Sequence, residues 1–231
     1  MKKSIFAKSL FFVMFAFLLV LTSCNDKSST EALEVALRDE ESYLNCEIEL
    51  YTKSEVNGLT IENETIIKVD GDKIYTETNS ALFEYYCYLI KKDNKFYMAT
   101  KFMLNEWIVV ELETDESETI DFGEFSAEDF ELDKEDNYYV LKSAKLEEYM
   151  QKIIDEESLL EEFEDASELD LIDFNLKLLI KDERVEKVIY SAVFKAGDKE
   201  MSTEGEMTYS NFGNVTVEIP DEVNEAIEEY E

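Results

Sequence analysis

No histidine occurs anywhere in the 231 residues. That absence removes Ser-His-Asp and Cys-His nucleophile systems and every zinc site built on imidazole. Glycine numbers only six. They are too scattered to form the G-x-G-x-x-G or P-loop patterns that cradle phosphate, which argues against nucleotide chemistry. Proline occurs once, at Pro220, and cysteine three times, at Cys24, Cys46 and Cys87. Basic side chains are scarce too, 22 Lys and Arg against 56 Asp and Glu, for a formal net charge of −34. A field of that sign repels nucleic acid, anionic headgroups and other polyanions at long range. Nucleic acid is therefore not an expected partner.

The abundant acids carry little chemical information. Among so many carboxylates, pairs at glycosidase spacing arise by chance, so a carboxylate-based hydrolase is only a third reading and the chain reads as non-enzymatic. The run "DKEDN" (133–137) lacks the glycine and the closing glutamate of a calcium loop. No metal site and no cofactor are expected. The acidity reads first as a solvated surface, with divalent cations or a basic partner protein as alternatives. At 45% hydrophobic, with 13 Tyr and 15 Phe, the chain is no disordered acidic tail.

What is present begins with an address. Lys2, Lys3 and Lys8 precede an unbroken apolar run of 12 residues, Leu10 to Leu21. A membrane-spanning helix needs roughly 20, so the run reads as a secretory signal. Leu21-Thr22-Ser23-Cys24 resembles the bacterial lipobox, which implies cleavage before Cys24 and acylation of its thiol, the one side-chain nucleophile suited to a thioether. The expected organisation is a signal peptide over 1–23, a polar tether over 24–30 and one domain over 31–231. That organisation implies a palmitate-type lipid anchor at Cys24, stable with two or more chains, on the extracytoplasmic face of a bacterial membrane. Loss of the leader, which holds three lysines and no acid, makes the remainder more acidic still.

Behind the tether, "STEALEVALRDEESYL" reads as one amphipathic helix with Leu33, Leu37 and Leu44 on its stripe. The period then changes to two. Strand-like runs follow in series, joined by turns at Asp70-Gly71, Asp93-Asn94, Asp136-Asn137, Asp182-Glu183 and Gly197-Asp198, and ending in "VTVEI". Hairpin spacing without crossover helices argues an antiparallel meander of about ten strands, α+β in class but mainly β. A helical insertion is expected at mid-chain, "AKLEEYMQKIIDEESLLEEFEDASE", lying across one sheet face. Pro220 precedes a short terminal helix. Cys46 and Cys87 each share a strand face with apolar neighbours; an exported chain permits a disulfide between them, and two buried free thiols are the other reading.

Several strands are apolar on both faces. Phe174, Leu176, Leu178 and Ile180 alternate on one side of their run with Leu179 on the other, and Ile189 and Val193 oppose Val188, Tyr190 and Phe194. Two apolar faces ask for material on both sides of a sheet.

The plan of lipobox, helix, long meander, mid-chain helix and closing "YSNFGNVTVEIPDEV" is similar to that of the LolA/LppX-type half-barrel lipoproteins. "NKFYMATKFMLNEWIVVELE", an aromatic-rich strand and then a Trp-led one, also resembles theirs, as does Tyr209-Ser210…Phe212-Gly213…Val217-Glu218-Ile219-Pro220. The resemblance implies a strongly curved sheet cupping an apolar cavity with helices across its open side. It implies a lipid-anchored, non-enzymatic protein that holds a hydrophobic ligand, a lipid or acyl chain. Candidate pocket-lining residues are Tyr149, Ile153 and Phe163 on the helix and Phe174, Leu176 and Leu178 on the strand, with core packing as the alternative for each. The competing expectation is a surface sensory or protein-interaction lipoprotein with a filled core, an acidic face toward a partner protein and no small-molecule ligand.

Overall fold

The computed structural model describes residues 31–56, 58–93, 95–103, 106–112, 126–145, 169–196 and 199–230. The signal run, Cys24 and the tether lie outside these residues, as does the expected mid-chain helix from residue 146 onward, with Tyr149, Ile153 and Phe163.

After helix α1 (Glu31–Arg38) and the single turn α2 (Glu40–Tyr43) come β1 (Asn45–Val56), β2 (Leu59–Asp70), β3 (Lys73–Ser80), β4 (Glu84–Lys92), β5 (Lys95–Phe102) and β6 (Ile108–Leu112). A 3₁₀ turn (Ala127–Asp129) leads into β7 (Phe130–Asp133), β8 (Tyr138–Leu141), β9 (Leu169–Lys181), β10 (Arg184–Ala196) and β11 (Lys199–Ser210). Helix α3 (Asp221–Tyr230) closes the series. The strands form an open sheet of eleven in the order β6-β5-β4-β3-β2-β1-β11-β10-β9-β8-β7. The expected meander is present twice, β1 to β6 and β7 to β11, joined where β1 meets β11. The protein is mainly β.

Turn chemistry explains the register. Asp70 pairs with Lys73, so the β2–β3 loop is Gly71-Asp72, and Gly71 takes a φ of 59° that a residue with a Cβ adopts only with strain. Lys181 pairs with Arg184, and the intervening Asp182 and Glu183 both sit at positive φ, 51° and 60°, the left-handed backbone of a tight two-residue hairpin.

Two compact units interleave along the chain: Met1–Asp39, Thr52–Ile61 and Phe122–Met207 in one, and Glu40–Tyr51, Glu62–Asp121 and Thr208–Glu231 in the other. In the first unit α1 packs on β9 and β10 and buries Leu33, Ala36 and Leu37. Val188, Tyr190 and Ala192 of β10 stand opposite Leu178, Leu176 and Phe174 of β9, and all six are buried. The Val, Leu and Phe side chains among them each contribute about 1.5–3 kcal/mol by leaving water. Tyr190 also needs space that only glycine provides. A Cβ at Gly205 would fall 2.4 Å from the Tyr190 ring.

In the second unit α3 packs on β5 and β6. Val223 and Ile227 of α3 join Val215, Val217, Tyr88, Ile90, Tyr97 and Ala99 in one buried cluster, flanked by Tyr75, Trp107, Val109 and Ile219.

Two expectations are corrected here. The N-terminal helix is not continuous: α1 ends at Arg38 and Leu44 is exposed. Tyr43 is buried instead, edge-on to Tyr209 and Phe212, while the Leu44 carbonyl accepts from the Gly71 N–H at 2.8 Å. "VTVEI" (215–219) forms no strand, because side chains take the place of a neighbouring strand. Asn45 Oδ1 accepts from the Val215 N–H at 2.8 Å, Asn45 Nδ2 donates to the Val215 carbonyl at 2.9 Å, and Asp70 Oδ2 accepts from the Val217 N–H at 3.1 Å. Those bonds satisfy backbone groups that would otherwise need a sheet partner.

Of the two readings of Cys46 and Cys87, the structure has the second: both are free buried thiols. β1 and β4 are separated in the sheet by β2 and β3. At about 4.8 Å per strand spacing that separation far exceeds disulfide reach.

Candidate functional site: an uncharged sheet face

The second unit contains a face that the sequence pattern allows but does not single out. Alternation of side chains along β2 to β6 and the pairing register set it out in three rows. Thr65, Thr78, Tyr85 and Phe102 stand side by side in the first. Ile67, Thr76, Cys87, Thr100 and Ile108 make the second, and Val69, Ile74, Leu89, Met98 and Val110 the third. Phe96 and Leu112 extend it by one step. None of these side chains is charged, in a chain where 34% of residues are.

The charges of the same strands point the other way. Glu77, Lys101 and Glu111 alternate onto the opposite face, where Lys95 Nζ meets Glu111 Oε1 at 2.9 Å and Tyr75 donates to Glu77 Oε2 at 2.9 Å. That face is also the one α3 covers, over Tyr97 and Ala99. Ala99, with no exposed surface, is small enough for Tyr88 of β4 to reach Trp107 beyond it, ring centroids 5.6 Å apart.

Burial on the uncharged face declines toward the edge. Ile67 is 3% exposed, Val110 42% and Ile108 54%. Three of its hydroxyls bond within the same strands: Thr65 and Thr78 share a hydrogen bond of 3.0 Å, and Thr100 donates to the Ile108 carbonyl at 3.5 Å. Burial pushes the Cys87 thiol up to about 11, so it stays protonated and serves as a small apolar group rather than a nucleophile. Burial likewise raises the Tyr85 phenol, with the neighbouring Cys87 adding to the effect. Desolvation also raises Cys46, whose thiol donates to the Tyr43 carbonyl, to about 12.

Such a surface offers hydrocarbon contact and no acid, base or nucleophile. Among the described residues no cluster of His, Cys, Asp and Glu could hold a metal ion, and no helix is long and apolar enough to cross a membrane. At its far end stands one cation. Lys91 pairs with Phe96 across the β4–β5 hairpin, and its ammonium lies 5.3 Å from the centre of the Phe96 ring.

Of the pocket residues expected from sequence, Phe174, Leu176 and Leu178 share one face of β9 in the first unit, all buried, on a strand against which α1 packs. Leu179, Ile189 and Val193 on the reverse side are only half-buried. The residues that sequence reasoning missed are those of β5 and β6. The signal was there as two alternations, Phe96-Met98-Thr100-Phe102 and Ile108-Val110-Leu112.

Comparison with known proteins adds little. No family model matches the chain, and no curated protein matches it. Among solved structures it is similar to a DUF1329 family protein from Desulfovibrio piger, with 13% identity over 85% of this chain and 96% of that one. The TM-score of 0.27 is too low to support a conclusion about fold or function.

Proposed function

We propose that the protein is a lipid-anchored, extracytoplasmic binding protein that holds a hydrophobic ligand, a lipid or acyl chain, and catalyses no reaction. The observation that carries the reading is the uncharged face of β2 to β6, exposed at Ile108 and Val110 in a chain of net charge −34. Contiguous exposed apolar surface marks interaction and ligand-binding sites, whereas apolar residues scattered singly do not. Binding there draws on buried apolar area, about 25 cal/mol per Å², with few polar groups to orient the ligand. The anchor rests on the pattern Leu21-Thr22-Ser23-Cys24 behind a signal-like run, and the likeness in layout to half-barrel lipoproteins supports a lipid as the ligand class.

Two measurements test the two halves of the proposal. Cells fed labelled palmitate are expected to label the wild-type chain and not the Cys24→Ala variant; label retained in the variant contradicts the anchor. Lipid extracted from protein purified without detergent exchange is expected at a fixed ratio to protein. Its absence removes the carrier reading and favours the interaction lipoprotein, whose acidic surface would meet a basic partner.

A further inference from the structure

We infer that the uncharged face takes an amphiphile with a carboxylate head, its hydrocarbon chain laid along β5 and its head at Lys91. This assignment rests on the binding reading above and adds the ligand's head group and direction.

Charge placement is the first argument. The face carries no acid and no base until its end, where Lys91 stands over Phe96 at 5.3 Å. Lys91 is exposed, so an incoming anion meets its ammonium without first displacing a packed side chain. The Phe96 ring holds the ammonium in place by cation–π attraction, weak at an exposed site but directional. The other lysines at this end, Lys73, Lys92 and Lys95, alternate onto the reverse face, where Lys95 is engaged with Glu111.

Length is the second argument. Phe96 to Phe102 is six residue steps on one strand, roughly 20 Å at about 3.3 Å per residue. One bilayer leaflet's hydrocarbon is about 15 Å thick, half of the ~30 Å core. An acyl chain of ordinary membrane length therefore fits along β5 from Lys91 to the far row, where Phe102 meets Phe83 with ring centroids 5.5 Å apart.

The third argument selects carboxylate over phosphate. A single ammonium matches a single negative charge, and a net charge of −34 opposes every further one. Asp72 sharpens this limit. It follows Gly71 in the β2–β3 loop, is exposed, and its carbonyl accepts from the Lys91 N–H at 3.3 Å. A carboxylate on that residue adds repulsion at the same end of the face.

The experiment uses the full chain in nanodiscs of uncharged phosphatidylcholine, with three photoactivatable probes that share a sixteen-carbon-type chain: palmitate, the corresponding alcohol and the corresponding alkyl phosphate. Labelled positions are read by peptide mass spectrometry. Palmitate is expected to label β5 and β6 about fivefold more than the alcohol, the scale of one exposed ion pair. Lys91→Met is expected to abolish that ratio, and Asp72→Asn to raise it. Overlaid denaturant-unfolding curves, followed by the fluorescence of the single tryptophan Trp107, report that each variant folds. Equal labelling by palmitate and alcohol in the wild type, with no effect of Lys91→Met, overturns the head-group assignment and leaves the binding face standing. Stronger labelling by the alkyl phosphate overturns the choice of carboxylate. Labelling of β5 and β6 by none of the three overturns the binding reading itself.

Discussion

β5 presents two apolar faces that have met different fates. Tyr97 and Ala99 point to one side and are buried under α3, beside Val223 and Ile227. Phe96, Met98, Thr100 and Phe102 point to the other, where they are only half-buried and continue into the exposed Ile108 and Val110 of β6. One strand with one composition thus supplies a closed core and an open surface in alternate residues. The first contributes stability, and the proposed function assigns contact with a ligand to the second. In an antiparallel sheet with one solvated face, apolar residues would alternate with polar ones instead.

That contrast sets an order of expected effects. Ile227→Ala removes a nearly inaccessible side chain from the covered side and is expected to lower unfolding free energy by about 2–5 kcal/mol, measured by denaturant titration. Ala99→Leu adds bulk where Tyr88 reaches Trp107 and is expected to cost about 1–3 kcal/mol. Because Trp107 is the single tryptophan, its fluorescence reports that change directly. Val110→Thr, on the open side, is expected to stay within about 0.5 kcal/mol of wild type. A loss of several kcal/mol there would make the open face part of the core and erase the distinction.

A further expected effect is one of pH. Burial raises the Cys87 thiol from 9.0 to about 11, so the folded state keeps a proton that the unfolded state loses first. The associated stability is complete below pH 9 and declines as pH rises toward 11. Wild type is expected to lose more stability than Cys87→Ala across that interval. Parallel curves would indicate a thiol in contact with water.

Much of this architecture is legible in the sequence, for reasons that differ by element. The hairpins at Asp70-Gly71 and Asp182-Glu183 and the period-two strands are local signals, and they survive folding because neighbouring strands are sequential. The segment 215–219 misleads because alternation records an extended, half-buried chain and not its hydrogen-bond partner. Asn45 and Asp70, which supply that partner, are distant in sequence. Leu44 misleads because it fits the helical stripe, whereas Tyr43 gains more by packing on Tyr209 and Phe212.

The open face was readable as two alternations on β5 and β6, yet it emerges as one surface only when five strands are set in register. Sequence attention goes instead to β9, where Phe174, Leu176 and Leu178 form the densest apolar run. There the structure supplies a covering helix, α1.

The most direct test of the central claim places one charge on the open face. Val110→Asp leaves the α3 side of the sheet untouched, so its unfolding curve should overlay that of wild type. Native mass spectrometry of both proteins is then expected to show a lipid adduct on wild type and none on the variant. An adduct of equal occupancy on a well-folded Val110→Asp protein would contradict the account.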